Sequence, residues 1–159
     1  MIKGVLVINN NGKPRFLRFY DESNHEKQQL ITKRVYELIK NRLDRECCCF
    51  IEDEELFSSD IKVVYRHFAT LYFVFIIDSM ESELGILDLI QVFVQVLDSN
   101  FENVCELDLI YNYEQINYIL DEIIMGGIVL ETNIDTIIDS INGSKRLIEN
   151  ESFLFRRLI

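Results

Sequence analysis

With 159 residues, 27 acidic against 16 basic side chains and a net charge of -11, the chain fits one domain whose surface repels nucleic-acid phosphate and anionic lipid. That length buries about 70% of the unfolded surface without help from disulfides or metals. If such a chain works at a membrane, something else must hold it there.

Met1-Ile2-Lys3 opens directly into a strand pattern, without the basic region and cleavage site of a secretory signal, and Ile2 excludes N-myristoylation. The longest uninterrupted apolar run, residues 71–77, is far below the ~18 residues of a spanning helix. A cytosolic protein is expected. Strands at residues 2–8 and 15–20 flank a tight turn in which Asn11-Gly12 supplies the positive φ angles, and Pro14 stands at the mouth of the second strand, where its missing amide hydrogen is tolerated. Ser23-Asn24-His25-Glu26 has the form of a capping box, and Leu30, Ile31, Val35, Leu38 and Ile39 follow at helical spacing. Residues 41–46 read as a loop, residues 47–51 as a short strand, and residues 52–60 as a solvated acidic loop without the spacing of a calcium site.

The centre of the chain, residues 60–109, is the most apolar part. Two β-like runs, residues 61–68 and 71–77, are separated only by Ala69-Thr70, which predicts a hairpin. A helix over residues 81–97, capped by Asp78, has apolar residues on nearly every face, so protein or lipid must cover it. Asp88, Gln91 and Gln95 argue against lipid. Residues 104–125 are helical with a break near Asn112, and Gly126-Gly127 ends them with left-handed conformations. Thr132-Asn133 caps a last amphipathic helix carrying Ile134, Ile137, Ile138 and Ile141, which Gly143 weakens. The tail 149–159 is expected to be ordered only when a partner covers it. The order β-β-α-β-β-β-α-α, with a further C-terminal helix, predicts an α+β fold: a five-stranded antiparallel sheet with one helix on one face and the C-terminal helices on the other.

No catalytic constellation emerges. His67 lies in an apolar strand without a serine or cysteine partner in view, Gly126-Gly127 follows a helix where a dinucleotide loop follows a strand, and Asp88 and Glu106 are isolated acids. Cys47-Cys48-Cys49 and Cys105 do not have zinc spacing and read as small apolar residues in a reducing compartment. Neither a cofactor nor a metal is expected, and no enzyme.

The run Lys62–Asn112, KVVYRHFATLYFVFIIDSMESELGILDLIQVFVQVLDSNFENVCELDLIYN, resembles the sigma, or small, subunit of heterotetrameric clathrin-adaptor-type complexes. Glu83-Leu-Gly-Ile-Leu-Asp88 and Met125-Gly-Gly-Ile-Val-Leu-Glu131-Thr-Asn133 are most similar to the third, delta-containing complex. So are Met1-Ile2-Lys3, Val7-Ile-Asn-Asn10 and Gly12-Lys-Pro-Arg15, and the likeness spans residues 1–148, leaving 149–159 as a variable tail. It implies a longin-like (SNARE-like) fold and direct packing on a delta-type large adaptin, with beta-type large and mu-type medium subunits completing the complex. It also implies recruitment by an Arf-type GTPase to Golgi, endosomal or coated-vesicle membranes and transport toward lysosomes or vacuoles. Members bind acidic dileucine signals in cargo tails, in which three residues separate an acidic residue from Leu-Leu or Leu-Ile. The positions here that match the leucine pockets are Ala69, Leu71, Val94, Val104, Leu107 and Leu109, with Asn103, Cys105 and Glu106 around them, and Arg15 matches the position facing the acidic residue. Aliphatic walls suit leucines and a guanidinium suits a carboxylate. The rival reading is a longin-like coat or tethering subunit, similar to COPI zeta, without dileucine binding.

Overall fold

A computed structural model describes residues 1–21, 24–42, 50–52 and 60–157. Strands β1 (Ile2–Asn9) and β2 (Pro14–Phe19) precede helix α1 (His25–Arg42), and β3 (Phe50–Glu52), β4 (Ile61–Phe68) and β5 (Leu71–Asp78) follow. Helices α2 (Glu83–Phe101), α3 (Glu106–Tyr111) and α4 (Tyr113–Ile123) lead into a small hairpin, β6 (Ile124–Met125) and β7 (Ile128–Val129), and then helix α5 (Ile134–Arg157).

The first five strands form an antiparallel sheet in the order β2-β1-β5-β4-β3. Strand β5 is therefore central and covered on both faces, which is why its sequence is apolar without interruption. Its odd positions, Leu71, Phe73, Phe75 and Ile77, join the core that also holds α2, α4 and the start of α5. The even positions Tyr72, Val74 and Ile76 join the opposite core beneath Ile31, Val35 and Ile39 of α1. The expected layering, one helix on one face and the C-terminal helices on the other, is what forms. By length and composition α2 could cross a membrane. In this fold Ile86, Leu89, Ile90, Phe93, Val96 and Leu97 are instead buried within the protein, each contributing about 1.5–3 kcal/mol. The sheet and its neighbouring helices cover this face, while Leu84 stays exposed and Leu87, Val92 and Val94 are only partly buried.

Several local expectations are corrected. Only Gly12, at φ 79°, takes a positive angle in the first turn, because the Asn9 carboxamide oxygen accepts from the amides of Asn11 and Lys13 and organises the turn itself. Helix α2 begins at Glu83 and is capped by Ser82, whose hydroxyl accepts from the Gly85 amide; Asp78 instead accepts from Met80 and meets the Met1 ammonium. Gly126 and Gly127, at φ 59° and 83°, form the tip of the β6–β7 hairpin rather than a helix end, because Ile124 is already extended and pairs with Val129. Gly143 does not interrupt α5, whose backbone is helical to Arg157. Helix α1 is capped by Asn24, which accepts from the Lys27 amide. Ser23 of the expected capping box, most of the loop expected at 41–46, Cys47 to Cys49 and most of the acidic loop lie outside the described residues.

Gly127 is the tightest of these points: a Cβ there would stand 2.3 Å from the Ile2 carbonyl oxygen, and the Gly127 carbonyl accepts from the Ile2 amide at 2.9 Å. Gly127→Ala combines that overlap with a left-handed φ costing about 1–2 kcal/mol. An expected destabilisation of about 2 kcal/mol or more should appear in urea titration. A smaller loss would mean that β1 and the hairpin tip separate easily.

Candidate functional site

Arg15, Ala69, Leu71 and Glu106 come to one end of the sheet because two turns and one helix start are tied together there. The Asn10 amide donates to the Thr70 carbonyl at 3.1 Å, joining the β1–β2 turn to the β4–β5 turn, and Asn9 pairs with Leu71 across the strands. Ala69 forms the exposed tip of the second turn at φ 53°. His67, on the adjacent strand end, is exposed, stacks on Tyr72 at 4.3 Å and meets the Asn10 carboxamide at 3.1 Å.

The connection from α2 to α3 is held by its own acids. Glu102 and Asn103 turn the chain through left-handed angles of 52° and 77°, while the Asp98 carbonyl accepts from the Asn103 amide and the Asp98 carboxylate from the Val104 amide at 3.1 Å. The Cys105 amide then donates to the Asp108 carboxylate at 2.8 Å. These bonds satisfy otherwise free amides at a helix start and fix the positions of Val104, Cys105 and Glu106.

From that helix start Glu106 reaches back to the first hairpin. Its Oε1 accepts from Arg15 Nε at 2.5 Å and from Asn9 Nδ2 at 3.0 Å. Donation by Asn9 and then by Arg15 holds the Glu106 carboxyl below its usual pKa, so it is ionised at neutral pH. The two terminal nitrogens of Arg15 make no hydrogen bond among the described residues and remain able to receive a second carboxylate.

The apolar members divide by depth. Leu109 and Leu71, 0% and 5% exposed, belong to the core floor, and Val94 and Val104 are partly buried against that core. Leu107 is 58% exposed, with Asn103 and Cys105 also at the surface. The arrangement offers partly open aliphatic side chains beside a guanidinium–carboxylate pair. Reading residue types alone misses Asn9, and the signal that could find it is a polar residue closing an apolar strand just before a turn.

Elsewhere, Met80, Leu84, Ile128 and Leu130 are exposed. A groove of about 300 Å³ runs between the start of α2 and the segment after the small hairpin, lined by Glu81, Gly85, Leu89, Val92, Val129 and Thr132 among others.

Comparison with known proteins places the chain in a family. The model of the clathrin adaptor complex small chain matches residues 1–147. AP-3 complex subunit sigma-2 of Homo sapiens is 54% identical over 155 residues, covering 97% of this chain and 80% of its own length. AP-3 complex subunit sigma of Dictyostelium discoideum is 54% identical over 136 residues, or 84% of this chain and 79% of its own. The AP-3 complex component APS3 of Candida albicans is 49% identical over 157 residues, covering 96% and 89%. Among structures, a chain in a homology model of the full-length AP-3 complex in a stretched open conformation superposes with a TM-score of 0.71 at 40% identity, covering 96% of this chain and 98% of that one. The match includes both turns, the start of α3 and the residues around Arg15, and the chain belongs to the clathrin adaptor complex small chain family.

Proposed function

We propose that the chain is the small subunit of an AP-3-type vesicle-coat adaptor and that it helps read acidic dileucine signals in cargo tails bound from Golgi or endosomes toward lysosomes or vacuoles. In this reading it packs on a delta-type large adaptin, with beta-type and mu-type chains completing the complex and an Arf-type GTPase bringing the assembly to the membrane. The family is structural rather than catalytic. Relatives named as AP-3 sigma subunits favour an adaptor over a coat or tethering subunit of the COPI zeta kind. Exposed Met80, Leu84, Ile128 and Leu130 are consistent with further burial by another subunit.

One observation carries the signal-reading part. Arg15, with its terminal nitrogens open, stands beside the start of α3, where Val104 is partly buried, Leu107 is exposed and Leu109 belongs to the core. A carboxylate can meet the guanidinium while two leucines, four and five residues further along the signal, enter the aliphatic site.

Magnitudes decide how such a site works. Burying two leucines contributes roughly 3–6 kcal/mol and one exposed charge pair up to about 1, against association costs of about 4 kcal/mol or more. A single signal therefore binds weakly, and stable capture draws on the effective concentration created by the membrane and the other subunits.

The test is calorimetry of dileucine peptides against the assembled complex, after co-purification with delta-type, beta-type and mu-type chains. Arg15→Ser should weaken a peptide carrying the acidic residue by about two- to fivefold and leave an acid-free peptide unchanged. Equal loss for both peptides would remove Arg15 from acid recognition. Purification with tethering factors in place of those three chains would remove the adaptor reading.

A further inference from the structure

We infer that Glu106 sets how strongly this site depends on the acidic residue of its ligand, by neutralising Arg15 before the ligand arrives. The inference rests on the dileucine reading above and concerns the specificity of that site.

Its basis is the way Glu106 is anchored. Glu106 Oε1 accepts from Arg15 Nε at 2.5 Å and also from Asn9 Nδ2 at 3.0 Å. Asn9 is only 5% exposed, and its other carboxamide atom is committed to the amides of Asn11 and Lys13. Glu106 itself opens α3, next to a Cys105 amide that is bound to Asp108. The carboxylate is thus fixed by the hairpin and the helix independently of Arg15. When a second carboxylate comes to the terminal nitrogens of Arg15, Glu106 stays in place.

The incoming acid then meets a guanidinium whose own charge is offset by Glu106, a like charge on its far side, with Lys13 as a further cation in range of Glu106. Hydrogen bonding to the open edge of Arg15 is retained, while the Coulombic gain is reduced. Recognition consequently leans on the leucines, and signals with a weak or missing acidic residue are tolerated.

The experiment uses the assembled complex and two dileucine peptides that differ only in carrying Glu or Ala at the acidic position. Glu106→Gln keeps an oxygen that can accept from both Asn9 and Arg15 and removes only the charge. The variant should raise the ratio of Glu-peptide to Ala-peptide affinity about two- to fivefold over the unaltered complex, the range of one exposed ion pair. The gain should shrink at 0.5 M salt. An unchanged ratio between the two peptides, or an equal loss for both, would overturn the inference, since a merely structural Glu106 affects both alike. Failure of the unaltered complex to bind either peptide would instead overturn the dileucine reading, and this inference with it.

Discussion

Val104→Asp, placed in the assembled complex, is expected to lower affinity for an acidic dileucine peptide by roughly a hundredfold or more while leaving the four chains associated. Two effects combine. Val104 is partly buried against the core, so the change replaces an aliphatic wall by a carboxylate, forfeiting most of the roughly 1.5–3 kcal/mol that one buried leucine contributes and adding a desolvation cost. The new charge also adds to the acids of this connection, Asp98, which holds the Val104 amide, and Glu106, and repels the acidic residue of the signal. A loss near 3 kcal/mol corresponds to about two orders of magnitude. The backbone bond from the Val104 amide to Asp98 does not depend on the side chain, so the connection should keep its shape. Leu109→Ser is a less selective probe of the same site. Leu109 is fully buried, and removing its side chain costs about 2–5 kcal/mol of folding stability before any peptide is added. Calorimetry showing unchanged affinity for Val104→Asp would take Val104 out of the pocket.

The layers of the fold were legible because alternation and helical spacing are local. Tyr72, Val74 and Ile76 face one core and Leu71, Phe73, Phe75 and Ile77 the other, as period-two geometry requires of a central strand. What local pattern does not decide is the choice among neighbouring residues of similar chemistry. Asp78 and Ser82 can both cap a helix, and the strand pairing that draws Asp78 to the Met1 amine leaves the role to Ser82. Gly126-Gly127 fits a helix end or a hairpin equally well until Ile124 is seen to pair with Val129. At the candidate site, likeness to a family points to the residues but not to the contact between Arg15 and Glu106: 91 positions separate them, and only the closure of β1 and β2 against α3 brings them together. A lone acid on an apolar helix carries no mark in its sequence of the base it will meet.

Phe93→Ala should produce the largest loss of stability, about 3–5 kcal/mol, because this ring connects α2 to the central strand. Phe93 is fully buried and meets Phe73 and Phe75 edge-on at 6.1 and 6.5 Å, and Phe73 in turn meets Phe68 at 5.8 Å. Truncation removes one member of a contiguous aromatic cluster whose geometry adds about 0.5–1.5 kcal/mol per pair beyond area burial. The strand beneath is fixed by pairing on both sides, so the cavity cannot readily collapse. Against a typical total of about 5–15 kcal/mol, such a loss moves the urea midpoint far toward zero. The seven tyrosines supply the fluorescence signal, since the chain has no tryptophan. Leu84→Ala on the same helix is the control: at 75% exposure it should stay within about 0.5 kcal/mol of the unaltered chain. Equal midpoints for Phe93→Ala and Leu84→Ala would mean that α2 is not anchored through its aromatic face. A large shift for Phe93 alone would assign the hold of α2 on the sheet to that face and leave the exposed end of the helix available to another subunit.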